Sequence, residues 1–171
     1  MDVYPGLVGL GHDIISEAFS NKVVVARKTS TEDVVWWLRE KTRAMKLQNW
    51  FHPSVSIQRA SQEQFEHIKA FSEQADTSVV QPGDLLHVDF GLTYLRLQTD
   101  QQQHAYVLRP DEKDAPEYLK AALAKANQLQ DIFTLNFKPG RTGNEVLRLS
   151  RKQAIARGIK PSIYTHPIGY H

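Results

Sequence analysis

Two aspartates eleven positions apart, Asp89 and Asp100, stand in stretches that otherwise read as buried strand. The first lies in Gly83-Asp84-Leu85-Leu86-His87-Val88-Asp89-Phe90-Gly91 and the second closes Gln98-Thr99-Asp100. An ionised carboxylate taken out of water must be paired or bound to a metal. Alternation puts Leu86, Val88 and Phe90 on one face and Leu85, His87 and Asp89 on the other. One face can therefore enter a core while Asp89 is offered to a site. A second apolar stretch, with Leu95 and Leu97 on one face, leads to Asp100. Paired as a hairpin, the two stretches bring both carboxylates within reach of a shared cation. On pattern alone, a single aspartate of this kind is more often a turn former or the partner of an arginine.

The elements that must position these groups are legible along the chain. A helix is predicted from about Pro5 to Ser20, burying Leu7, Leu10, Ile14, Ile15 and Phe19. Thr29 and Glu32 have capping-box spacing and predict a helix to about Met45, with Val34, Trp37, Leu38 and Met45 inward. Trp36 and Trp37 are assigned to helix packing rather than to a ligand platform. Val55 and Ile57 alternate with Ser54, Ser56 and Gln58 as a strand. Residues 60–81 are polar, with a loop or short helix around Gln64 to Phe71. Pro82-Gly83-Asp84 turns the chain into the Asp89 strand, and a further strand runs from Asp100 to Leu108. A long amphipathic helix carries Leu119, Ala122, Leu123, Ala126, Leu129, Ile132 and Phe133 and ends at Pro139-Gly140. Thr142 and Glu145 repeat the cap spacing and open a helix to Arg157, stopped by Gly158. Residues 159–165 read as a strand delivering His166. The fold class is α+β, with a mixed, mostly antiparallel sheet and helices packed on one face.

At 171 residues the chain is long enough for one domain with a sizeable core. A net charge of +2, without a block of like charges, gives no footprint for nucleic acid. No apolar run approaches the roughly 18 residues of a membrane span. The start of the chain lacks the basic and apolar regions of a signal peptide, so a cytoplasmic location is expected. With no cysteine, any metal must be held by oxygen and imidazole.

The Asp-x-Gly, the aspartate spacing and His166-Pro167-Ile168-Gly169 together resemble the pita-bread metallopeptidases: methionine aminopeptidase, aminopeptidase P, prolidase and creatinase. The Xaa-Pro peptidase branch is the nearest in Thr31 to Arg39, Gly83 to Asp89, Gln103 to Leu108, Gly143-Asn144-Glu145 and Tyr164 to Pro167. The resemblance implies a partial pita-bread fold over residues 1–171, comprising the first half and the start of the second. It implies two divalent metal ions, with Mn²⁺ expected and Co²⁺, Zn²⁺ or Fe²⁺ as alternatives. In that family two Asp, one His and two Glu hold the metals, and their shared water attacks the scissile carbonyl. Asp89 and Asp100 match the first two ligands and His166 matches the third. The two glutamates lie downstream of the histidine in the family, whereas no Glu follows Glu145 here. The chain is therefore expected to be an inactive, C-terminally truncated fragment, with an unpaired sheet edge and exposed apolar surface. Its implied partners are a peptide or dipeptide with proline in second position and a second copy in a homodimer, with no nucleic acid and no membrane.

Some positions depart from the family. Arg96 stands where Gly is common in the turn between the aspartates, so another turn type or a bulge is expected. Ala26-Arg27 stands where Pro-Gly is usual. His67 is the sole candidate for the substrate-binding histidine before the first Asp, with poor spacing, and His171 is a candidate contact to substrate or leaving group. His87 and His104 share the nominal Asp89 face, either orienting a carboxylate or as satisfied imidazoles. His12 and His52 read as structural or surface groups, and Gly143-Asn144-Glu145 as a helix start rather than a phosphate loop. Two further functions compete: a metal-free pita-bread homologue serving as a binding module, and creatinase-like amidinohydrolysis. Retention of both Asp89 and Asp100 disfavours them.

Overall fold

The computed structural model describes residues 3–60 and 78–163. They divide into two compact units, one within Met1–Asp114 and the other within Ala115–Pro167. In the first, α1 (Val3–Ala18) buries Leu7, Gly11, Ile14, Ile15 and Ala18, a stripe at helical spacing. Helix α2 (Thr31–Ala44) opens one residue later than the cap spacing predicts. The cap is Ser30: its Oγ accepts from the Asp33 amide at 3.1 Å, and its own amide donates to Asp33 Oδ2 at 2.8 Å. Thr29 is occupied elsewhere. Its hydroxyl accepts from the Val25 amide and donates to the Val23 carbonyl. That bracing holds the turn in which Arg27 adopts φ 67°.

Helix α2 buries Val34, Val35, Leu38 and Thr42. Met45, assigned to the inward stripe, lies beyond the helix and is exposed. Trp36 is also exposed, with the Arg39 guanidinium 4.7 Å over its ring, whereas Trp37 packs against the core.

Strands β1 (Ser54–Arg59), β2 (Asp84–Phe90) and β5 (Gln101–Tyr106) form an antiparallel sheet in the order β1-β2-β5. The alternation of β2 holds along its length. Leu86, Val88 and Phe90 are essentially inaccessible and join Ile57, Val34, Leu38, Ile14, Ile15 and Leu7 in one core, while Leu85, His87 and Asp89 are half-buried. Helices α1 and α2 thus cover the apolar face of the sheet.

The stretch after Gly91 does not pair with β2 as a simple hairpin. It folds on itself as a short ribbon of β3 (Thr93–Tyr94) and β4 (Leu97–Gln98). Leu95 and Arg96 form the two-residue turn with φ of 50° and 67°, so Leu95 is 69% exposed rather than facing inward with Leu97. Positive φ at both central residues is the type I′ pattern, matching the right-handed twist of the strands. The expected avoidance of positive φ at Arg96 is therefore overturned. Strand twist outweighs the local cost of a side chain in the left-handed region.

In the second unit, α3 (Glu117–Asn136) and α4 (Gly143–Ala156) pack together, burying Leu119 and Ile132 from the first and Val146 and Ala154 from the second. Asn136 donates to Gln153 Oε1 and accepts from Arg141. Thr142 and Glu145 form the predicted capping box. At the other end Gly158, at φ 72°, donates to the Ile155 carbonyl while the Ile159 amide donates to Ala154. This double bond pattern is a Schellman stop, and only glycine enters its left-handed position without strain. Leu123, Leu135, Phe137 and Ile155 are exposed. Residues 159–163 are not strand, and residues 164 and 165 lie outside the described residues, as does Gln64 to Phe71.

Candidate metal centre

The polar face of the sheet is set by the β2 register. Asp89 lies opposite Ser54 of β1 and Gln102 of β5; His87 lies opposite Ser56 and His104. The pairing of β2 with β5 begins at Phe90 and Gln101. Continued by one residue, it sets Asp100 opposite Gly91, on the same side as Gln102 and Asp89. Asp89 and Asp100 are then diagonal neighbours, a relation of about 7–8 Å in an antiparallel ladder. Both carboxylates are half-buried. Carboxylate oxygens on one side of a ladder suit hard or borderline divalent ions at metal–oxygen distances near ~2.0–2.2 Å. Oxygen donors without a thiolate fit the same chemistry.

The diagonal relation depends on how the chain returns from Gly91 to Asp100. Thr99, fully buried, closes the base of the β3–β4 ribbon: its amide donates to the Leu92 carbonyl and its hydroxyl accepts from the Leu92 amide. The Trp50 indole N–H donates to the Thr99 carbonyl at 2.7 Å, and Asn49 Nδ2 donates to the Gly91 carbonyl at 2.9 Å. Gly91 lies directly beneath this clamp. A Cβ there would stand 2.4 Å from Trp50 Nε1 and 2.5 Å from the Thr99 oxygen. The glycine of Asp-x-Gly is thus required by the close approach of Trp50, Phe51 and the Thr99 carbonyl. Helix α1 braces the neighbouring strand: Gln101 Nε2 donates to the Val8 carbonyl over Gly11, and Tyr4 donates to the Gln98 carbonyl.

His87 and His104 face each other with ring centroids 4.9 Å apart, and His87 Nε2 is 3.1 Å from Gln102 Oε1. Partial desolvation, then the neighbouring His87, lowers the pKa of His104. His12 contacts Gln103 and His52 contacts Arg39, the surface roles expected for them.

Asp84 occupies the other face of β2. Its oxygens accept from Arg59 Nε at 2.7 Å, Arg59 Nη2 at 2.8 Å and the Gln81 amide at 2.6 Å. Sequence reading placed Asp84 in a turn and missed the arginine that neutralises it. It also missed Trp50, Asn49 and Thr99, whose role is visible only once the ribbon is folded. The clue available was an indole N–H beside an amide side chain, both of which need acceptors when buried.

His67, His166 and His171 lie outside the described residues. Among the described residues, no group of three or more His, Asp or Glu gathers to hold a metal. No helix among them is long and apolar enough to cross a membrane.

Comparison with solved structures agrees with this architecture. The X-Pro aminopeptidase of Thermotoga maritima superposes with a TM-score of 0.63 at 16% identity, over 90% of this chain and 40% of that protein. The Xaa-Pro dipeptidase of Bacillus anthracis gives 0.59 at 21% identity, over 92% and 42%. The recombinant prolidase of Thermococcus sibiricus gives 0.58 at 14%, over 86% and 38%. The chain spans about two-fifths of the length of these proteins, and the likeness establishes the fold, a partly covered pita-bread architecture of the α+β class. No curated protein sequence matches it. The family model for metallopeptidase M24 matches residues 10–171, so the chain belongs to metallopeptidase family M24.

Proposed function

We propose that these residues form the first half, and the start of the second, of a metallopeptidase domain of the Xaa-Pro aminopeptidase or dipeptidase type. The reading is supported above all by the β2–β5 register, which, continued one residue past its last pair, sets Asp100 on the same side of the ladder as Asp89. In this reading Asp89 and Asp100 hold two divalent ions, Mn²⁺ foremost, and His166 joins them. Bound there, such ions supply Lewis acidity, bringing water deprotonation toward neutral pH and polarising a peptide carbonyl. The part of this chain is to fix the carboxylates. The Gly91–Trp50–Thr99 clamp sets their spacing, and the β1–β2–β5 ladder keeps them from rotating apart. Substrate is a peptide with proline in second position, with His171 or His67 at its ends.

Glu145 is the last acidic residue of the 171, so these residues carry three of the five side chains of the family set. Ligand number sets affinity. The 171-residue chain should therefore bind Mn²⁺ weakly and should not turn over Gly-Pro dipeptide. Calorimetric titration with Mn²⁺ tests the assignment. Heat of binding should vanish in Asp89→Asn and in Asp100→Asn. Unchanged binding in both variants would refute the metal centre.

A further inference from the structure

We propose that His87 and His104 form a second metal site, a cross-strand imidazole pair for Cu²⁺, Ni²⁺ or Zn²⁺, distinct from the carboxylate pair. The two residues are direct partners in the β2–β5 register, so their side chains leave the same face at the same level. Their ring centroids are 4.9 Å apart and the ring planes are inclined by 48°. Two imidazoles bound to one ion can be compared with this spacing. With metal–nitrogen bonds of about 2.0–2.1 Å and an angle of roughly 90–109° at the metal, the centroids lie about 4.5–5.2 Å apart. The observed separation falls inside that interval before any metal is added.

Gln102 supplies the support such a ligand needs. Its Oε1 lies 3.1 Å from His87 Nε2. With the proton on Nε2 donated to that oxygen, Nδ1 of His87 carries the lone pair, the tautomer and ring orientation being set by a neighbouring acceptor as in established metal sites. His104 is exposed, so exchangeable ions and water reach the pair.

Donor type separates this pair from Asp89 and Asp100. Imidazole selects copper, nickel and zinc, whereas carboxylates accommodate manganese. The inference uses neither aspartate, and it stands or falls apart from the peptidase reading.

The test is Cu²⁺ alone, at one equivalent on the 171-residue chain, followed by electron paramagnetic resonance and by competition with a chelator. The expected spectrum shows hyperfine coupling to two imidazole nitrogens. Affinity should fall about tenfold or more in His87→Ala and in His104→Gln, and the two-nitrogen pattern should be lost in each. His52→Gln, at the exposed imidazole beside Arg39, should leave both unchanged. His104→Gln alters an exposed position and keeps a polar side chain, so its circular dichroism should match the wild type and a loss of copper reads as loss of a ligand. The other five histidines provide the counter-outcome. Copper held within twofold of wild type in both histidine variants would place the ion elsewhere and overturn the proposal. Copper lost only on replacing the aspartates would overturn it equally.

Discussion

The two carboxylates of β2 are five residues apart on one strand and have opposite fates. Asp84 is inaccessible on the core face, where Arg59 grips both oxygens and the Gln81 amide adds a third bond. Asp89 is half-buried on the other face, among Ser54, His87 and Gln102. Strand parity makes the difference: an odd number of steps moves a side chain across the sheet. One aspartate is thereby consumed by the fold, and the other is presented with Asp100 as a candidate ligand. A carboxylate in this strand is therefore informative only together with the face it occupies.

Removing each carboxylate should separate these roles. Asp84→Ala strands the Arg59 guanidinium and should cost about 3 kcal/mol, the low end for a broken buried pair. The low end applies because Arg59 keeps 30% of its side-chain exposure. Asp89→Asn preserves shape on a half-solvated face and should cost less than about 1 kcal/mol without metal. Urea denaturation in the presence of a chelator measures both. Equal losses would make Asp89 a structural group and erase the contrast.

The clamp that sets the site side of the strand can be broken without touching a carboxylate. Gly91→Ala drives a methyl into Phe51, Trp50 and the Thr99 carbonyl. Overpacking of this kind costs about 1–3 kcal/mol, and the upper end is expected because one of the three neighbours, the Thr99 oxygen, is backbone. Trp50→Phe removes the indole donor, leaving the Thr99 carbonyl without it. The double variant should cost less than the sum of the two single ones, since both disrupt one contact. Strict additivity would show that Gly91 and Trp50 act separately.

Much of the core face was legible because it obeys periodicity. Leu86, Val88 and Phe90 alternate without exception, α1 repeats its stripe, and Thr142 with Glu145 satisfies a local rule. What sequence reading missed depended on choices between near-equal local partners or on distant ones. Thr29 and Ser30 are both competent caps, and the register moved by one because Thr29 had a better use in the preceding turn. Arg59 reaches Asp84 across 25 positions, and Trp50 reaches Thr99 across 49, separations at which no periodic signal survives. The half-buried face of Asp89 followed from the alternation, but the ribbon between Asp89 and Asp100 did not. Its turn places Leu95 and Arg96 where residue preference argues against them.

That turn offers a gain rather than a loss. Leu95 is 69% exposed at φ 50°, so it carries left-handed strain with little packing in return. Leu95→Asn should stabilise the chain by about 0.5–1 kcal/mol, because asparagine tolerates this region through its local hydrogen bonding. Thermal unfolding should show a higher midpoint with Mn²⁺ affinity unchanged. A lower midpoint would mean that Leu95 makes contacts outweighing the strain.

The smallest effect concerns carboxylates spent at helix ends, a third fate beside those of Asp84 and Asp89. Bonds from the backbone and hydroxyl of Ser30 hold Asp33 below the ordinary value of 3.8, and those of Thr142 hold Glu145 below 4.5. The folded chain then binds fewer protons than the unfolded one across this range, so the contribution is complete above the ordinary values. It is lost as pH falls through them toward the lowered ones. Both groups are exposed to water, and the change is correspondingly slight. Thr142→Ala should lower the urea midpoint at about pH 6, and the gap from wild type should narrow as the pH falls below the ordinary carboxylate range and the Glu145 carboxylate takes up a proton. A gap that stays constant over this interval would show that the cap of α4 works through the hydroxyl alone and that the Glu145 carboxylate contributes nothing to it.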